Sequence, residues 1–400
     1  MSKLNNDFFV RKKVWSEVKD ELFACYFKPY VSKILHTYRP LVYVDCFAGK
    51  GRFDDGEPGS PIIALDIINE CLTNSKTDKA SVSTNFIELN HADELSSNLK
   101  GYEDITIISG FYEKEIESLL LNKDGCNIFL YLDPYGIKAL EHSIFESFAN
   151  RNFNSIELLI NLNSFGFFRE ACNALGTKYE NDLIFEDLIE YDPTRLNASK
   201  KSIEALNEIA GGTYWQPVVE DYKKGNIDGY KAEEIITSEY CKQLGESYSY
   251  VLNMPLRIKK GQRPKYRMIH ATNHHDGCLI MVDNIYNRWQ VIQNLQNCGQ
   301  LSMWEEDCEN KIVDKIKIEN KVIEHFSRYE TKTSLSVALA NFFVEYGPIC
   351  NTKTIRDILR KYEGKKIGIE RNPSKTKKTG KPTTFMTEIK NKKIDIWWLT

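Results

Sequence analysis

Leu41-Val-Tyr-Val-Asp-Cys-Phe-Ala-Gly-Lys-Gly-Arg52 is the stretch around which the chain is organised. Its first half is an apolar, β-rich run, the pattern of a strand buried on both faces of a parallel sheet. It then passes through Asp45 and Phe47 into two glycines spaced one apart, Gly49 and Gly51. A strand that ends in Gly-x-Gly lets backbone N–H groups approach a ligand closely, because neither glycine carries a Cβ. The alternative is a purely structural turn.

The next residues narrow the choice. The third glycine of a dinucleotide fingerprint is replaced by Asp54, and the loop Asp54-Asp55-Gly56-Glu57-Pro58-Gly59 intervenes before Ser60-Pro61, which predicts an N-cap and a helix over 61–71. An NAD site is therefore disfavoured. The order Asp-x-Phe-x-Gly-x-Gly resembles the first motif of S-adenosylmethionine (AdoMet) methyltransferases, in which the loop wraps the methionine end of the cofactor. The resemblance implies cofactor contacts at Asp45, Phe47, Gly49 and Gly51.

Upstream, 14–36 predicts an amphipathic helix that Pro29 kinks or splits, with Lys19 and Lys28 in solvated positions. Downstream, strand and helix patterns alternate, with strands at 83–88, 106–109, 127–132 and 155–161. That alternation predicts a doubly wound α/β sheet. Residues 164–226 read as a mostly helical insertion, and 248–256 with 266–271 as a closing antiparallel hairpin across a charged turn. A parallel sheet ended by such a hairpin is similar to the class I, Rossmann-like AdoMet methyltransferase fold.

Ligands of such sheets bind where the strands emerge. Glu88 ends the second strand, where two carboxylate oxygens can face both hydroxyls of a ribose; solvated surface is the alternative. Gly110 and Phe111 follow the third strand, where adenine would pack. Asp133-Pro134-Tyr135-Gly136 follows the fourth. A carboxylate with a nearby backbone carbonyl can accept both hydrogens of an exocyclic amine, and the ring can stack on an extruded base. The alternative for Asp133 is a cap on the next helix. Asp133, Pro134 and Tyr135 are the candidate catalytic residues.

With no run of 18 apolar residues and no signal-peptide pattern, the expectation is a soluble cytoplasmic protein with no membrane contact. The ten cysteines are scattered without Cys-x-x-Cys, so reduced core thiols and no metal site are expected; adjacent His274 and His275 suit a loop better than ligation. Residues 351–400 carry 14 Lys/Arg against 5 Asp/Glu, a local +9 that leaves −12 for the first 350. A basic segment on an acidic body points to a polyanionic partner or to a solvated tail. Three short helices and a two-stranded basic wing predict a winged helix over 313–400, after a first domain over 1–312. Its helix over 352–361 offers Lys353, Arg356 and Arg360 to phosphates, and its wing Lys375, Lys377 and Lys378.

Tyr43–Arg52, Gly59-Ser60-Pro61, Phe129–Gly136 and, more weakly, Tyr266–His274 together resemble the three-Cys-motif partner (TcmP) family, methyltransferase-like proteins ending in a winged helix. The resemblance implies AdoMet as cofactor and a protein partner bearing a three-cysteine motif. Asp-Pro-aromatic-Gly is also similar to the motif of tRNA guanosine N2-methyltransferases, and differs by one residue from the Asp-Pro-Pro-Tyr of adenine N6 enzymes. The leading expectation is methylation of a base amine in RNA or DNA, RNA favoured. The other is a non-catalytic partner protein of a defence or modification system. The sequence leaves the oligomeric state open.

Overall fold

The computed structural model describes residues 9–75, 80–177, 200–256, 266–296, 315–376, 378–389 and 391–399. The chain divides into two compact units, Met1–Asn273 and His274–Thr400.

The first unit is built on seven strands: β1 (Leu41–Asp45), β2 (Val82–Glu88), β3 (Ile105–Ser109), β4 (Asn127–Leu132), β5 (Ser155–Leu162), β6 (Tyr250–Leu256) and β7 (Tyr266–Thr272). They lie in the order β3-β2-β1-β4-β5-β7-β6. β1 to β5 are mutually parallel, and β7 runs antiparallel to both β5 and β6. Every residue of β1, β4 and β5 is buried, as expected of central strands covered on both faces. The order reverses beside β1, between β2 and β4, which opens a crevice at the carboxyl ends of these strands. The turn joining β6 to β7 lies outside the described residues, as does 178–199 within the segment expected to be a helical insertion.

The two-residue period sorts side chains between the faces. On one face, Val42, Val44, Ile128 and Leu130 join a core built with α4 (Tyr112–Leu119), α5 (His142–Ala149), α6 (Ser164–Ala174), α7 (Lys200–Ala210), α8 (Trp215–Lys223) and α9 (Gly229–Ser247). Among the described residues of 164–226, Leu206, Trp215 and Val219 fill the same core as the strands, so this segment shares in covering that face.

On the other face, Tyr43, Phe129 and Tyr131 meet Phe23 and Phe27 of α1 (Val14–Leu35), with ring centroids 4.6 Å apart for Phe23 and Tyr131. α1 runs on through Pro29 as one helix rather than splitting. An internal proline costs about 3 kcal/mol, whereas burying an aromatic or aliphatic side chain returns about 1.5–3 kcal/mol, and Phe23, Tyr26, Phe27 and Tyr30 are all buried. Packing wins. α2 (Ser60–Asn74) lies beside α1, and α3 (Ala92–Asn98) follows β2.

The second unit contains α10 (His275–Gln296), α11 (Lys315–Phe326), β8 (Thr333–Ser334), α12 (Leu335–Tyr346), α13 (Thr352–Tyr362), β9 (Ile367–Asn372) and β10 (Lys393–Trp398). Its sheet is antiparallel in the order β8-β10-β9, three strands where the sequence predicts two. The division falls after Asn273, not after 312, because α10 packs with the later helices α12 and α13. Asp283 of α10 accepts the Thr352 N–H at 2.8 Å and its hydroxyl at 2.7 Å, tying α10 to the start of α13. Among the described residues, no helix is long and apolar enough to cross a membrane.

Candidate functional site

The carboxyl ends of β1, β2, β3, β4 and β5 open on one cavity of about 430 Å³, within the range of small-molecule sites. Gly49, Gly51, Glu88, Gly110, Phe111, Asp133, Pro134 and Tyr135 all border it, as does Phe47. Residues distant in sequence share this wall because the sheet brings the strand ends into register.

The glycine turn is built as its composition demands. Gly49 and Gly51 have φ of 61° and 74°, the left-handed region that L side chains rarely adopt. A Cβ on Gly51 would also come within 2.8 Å of Leu95 Cδ1. The Gly49 N–H donates to Glu88 Oε2 at 2.8 Å, and the Gly59 N–H donates to Gly51 O at 2.9 Å. The turn is thus pinned to β2 on one side and to the start of α2 on the other.

Asp45 departs from its expected role. It is fully buried and does not border the cavity. Its carboxylate accepts the Ser60 hydroxyl at 2.6 Å and the Phe47 N–H at 3.2 Å, so it positions the turn rather than touching a ligand. Burial pushes its pKa up to about 7, against the pull of those two hydrogen bonds; Asp133 and Glu88 add to the rise. Ser60, for its part, is the first helical residue and not the cap. The cap position is Gly59, and the Ser60 hydroxyl is spent on Asp45.

Glu88 stands where expected but is already largely engaged. Besides Gly49, it accepts the Asn90 N–H at 2.8 Å and the His91 N–H at 3.1 Å, both on Oε1. A carboxylate offers about four lone-pair sites. One therefore remains, on Oε2, where the sequence suggests two for a diol. Phe111 is exposed at the rim, and Gly110 donates its N–H to Glu88 O at 3.2 Å.

Asp133 follows β4 and is held from two sides. Lys19 Nζ lies 2.6 Å from Oδ2, and Asn161 Nδ2 donates to Oδ1 at 2.6 Å. Two of its lone-pair sites are not used by these partners, and the residue borders the cavity. The Pro134 carbonyl accepts the Gly136 N–H at 3.0 Å, and Tyr135 is 47% exposed.

Three polar residues of α1 complete the wall and are missed by the sequence: Ser16, Lys19 and Asp20. Lys19 is buried, not solvated, whereas Lys28 is exposed and pairs with Glu70 at 2.7 Å. Their signal is legible afterwards: polar residues at i, i+3 and i+4 interrupt an otherwise aromatic face. Burial raises the Asp20 carboxyl to about 6, although Lys12 at 2.7 Å and Lys19 oppose this. Phe9 closes over Gly49, its ring 5.0 Å from His91. Two buried polar atoms of wall residues, Ser16 Oγ and Asn161 Oδ1, have no hydrogen-bond partner.

Beneath α1, Glu157 and His270 form a buried pair at 2.5 Å, joined by the Tyr26 hydroxyl. His270 is interior, as its strand position implies, but Nδ1 has no partner.

In the second unit, Lys353, Arg360, Lys375 and Lys378 are exposed, and Lys377 lies outside the described residues. Arg356 does not join them. It is half-buried and donates from Nη1 to Thr352 Oγ1 at 2.9 Å, with Asp283 and Glu388 as nearby carboxylates, so its charge is used inside the unit. The eight described cysteines are free thiols. His274 and His275 stack at 4.5 Å beside Asp276, and the three residues bring ligand atoms within 4.8 Å of one another, closer than adjacency in sequence suggests. Compared with known proteins, the chain matches no protein-family model and no curated protein.

Proposed function

We propose that the chain is an AdoMet-dependent methyltransferase acting on an exocyclic amine of a nucleic-acid base, with RNA the favoured polymer. The observation that carries this reading is the meeting of the Gly49–Gly51 turn, Glu88 and Asp133 on one cavity at the carboxyl edge of the sheet. The order β3-β2-β1-β4-β5-β7-β6 with β7 reversed supports it, since the methyltransferase fold ends in such an antiparallel pair.

The residues fit an AdoMet-sized cation. The left-handed turn leaves backbone room, the open Oε2 site of Glu88 suits a hydroxyl, and the Phe111 face suits adenine. Carboxylates of Asp20, Glu88 and Asp133 face the same space and complement a positive charge. When bound, the cofactor supplies an electrophilic methyl group, so orientation and electrostatics carry the catalysis. Asp133 would hold the amine through its open lone pairs, Lys19 and Asn161 would fix the carboxylate's direction, and Tyr135 would stack on the base. The second unit reads as a winged helix that presents Lys353, Arg360, Lys375 and Lys378 to phosphates, and the TcmP resemblance adds a three-cysteine-motif protein as partner.

Incubation with methyl-labelled AdoMet and total RNA or DNA tests the reading. Label is expected in RNA, reduced by about 100-fold in Asp133→Ala. Label in neither polymer overturns it. A second reading, a partner protein that binds without turnover, draws on the prior engagement of Asp133 by Lys19; it predicts that Asp133→Ala leaves the biological effect unchanged.

A further inference from the structure

Asn161 carries a feature that holding Asp133 does not explain. It is 3% exposed, it borders the cavity, and its Oδ1 has no partner. The orientation of the amide follows from its neighbour. A carboxylate only accepts, so the NH2 group of Asn161 must face Asp133, as it does at 2.6 Å, and the carbonyl oxygen must face elsewhere. A buried acceptor left without a donor destabilises the fold, and native chains retain few of them. Because this atom is itself covered, a ligand in the cavity that donates to it reaches it through a small shift of the Asn161 amide.

Its place in the sheet says which ligand. β4 and β5 are parallel neighbours with Leu132 opposite Ile160, so Asp133 and Asn161 occupy adjoining positions one step further on. The two residues therefore adjoin in the wall, and each has an acceptor not used by the other: the free lone pairs of the Asp133 carboxylate and the amide oxygen of Asn161. The backbone alternative beside them, the Pro134 carbonyl, already accepts the Gly136 N–H. A planar NH2 group presents two hydrogens from one nitrogen and suits two adjacent acceptors. A hydroxyl presents one, and a ring carbonyl presents none and meets two like dipoles.

Building on the base-amine reading above, we propose that Asn161 is the second acceptor of an amine subsite: Asp133 takes one hydrogen of an exocyclic NH2 and Asn161 Oδ1 the other. The cavity then admits amino bases and rejects their oxo counterparts. With both hydrogens held in the plane of the amine, the nitrogen lone pair stands clear of them.

The test compares fluorescently labelled single-stranded RNA 12-mers that carry or lack a base amine: oligo(G) with oligo(I), which differ in the amine alone, and oligo(A) with oligo(I) and oligo(C) with oligo(U), in which an oxo group replaces the amine and the adjoining ring nitrogen gains a hydrogen. In the wild-type chain, at least one amine-bearing member should bind about tenfold tighter than its counterpart, and Asn161→Ala should bring that ratio to within about twofold. No preference in any pair, or a preference that survives Asn161→Ala, overturns the proposal. Should Asn161→Ala fail to fold, the wild type decides alone. With two acceptors the preferred base loses affinity at its first N-methyl group; affinity unchanged by that methyl shows one acceptor and overturns the proposal. A parallel titration with AdoMet separates the two claims. Base preference without AdoMet binding keeps the amine subsite and removes the methyltransferase reading. AdoMet binding without base preference does the reverse.

Discussion

Asp45 shows how a single side chain can shape a site without bordering it. Its raised carboxyl has a definite thermodynamic sign. A group that binds its proton more tightly when folded stabilises the fold below its unfolded pKa, near 4, and that contribution is lost as pH rises through about 7. Asp45→Asn removes the titration and keeps one of the two acceptor oxygens, a loss that does not vary with pH. The stability of the wild type relative to this variant should fall by ~1.4 kcal/mol per pH unit between about pH 4 and 7 in urea unfolding; a flat difference would contradict the assignment. Asp20 slopes the same way in both proteins and cancels from the comparison. Gly49, Gly51, Glu88 and Asp133 were legible in the sequence because each is a residue type at a strand end, and strand ends follow from hydrophobic pattern. Lys19, Ser16 and Asn161 were not. Their roles depend on which strand and helix become neighbours, and the pairing of Lys19 with Asp133 across 114 residues is not readable from the polar break in the α1 face alone.

At the level of elements, every strand of the first unit was visible from sequence to within two residues of its ends, since β-rich runs bounded by turn residues carry their own signal. The periodicity of the helices in 164–226 says that a face is buried, not against what; their described residues pack into the core on the sheet. α13 makes the same point on a smaller scale. Lys353, Arg356 and Arg360 share helical spacing, yet Arg356 turns inward to Thr352 while the other two stay exposed. Lys353→Ala and Arg360→Ala should each lower the slope of log affinity against log salt for RNA by about 1 if each lysine or arginine meets one phosphate. Arg356→Ala should leave that slope unchanged and lower the thermal stability of the second unit instead. Equal slopes for all three variants would show that exposure on α13 does not govern contact.

Over the whole molecule, charge and topology divide the work between the units. The acidic share of the chain contains the cavity, and the basic share lies within the second unit. What composition could not convey is the strand order, which places β4 rather than β2's successor beside β1 and so opens the crevice next to the glycine turn. The cofactor is the claim on which the proposed function stands, and calorimetric titration of the full chain with AdoMet measures it most directly. The account predicts one saturable site per chain, weakened at least about tenfold in Glu88→Ala, which removes the remaining acceptor and the anchor of the Gly49 N–H. No heat of binding at millimolar AdoMet, or affinity unchanged in a folded Glu88→Ala variant, would contradict it.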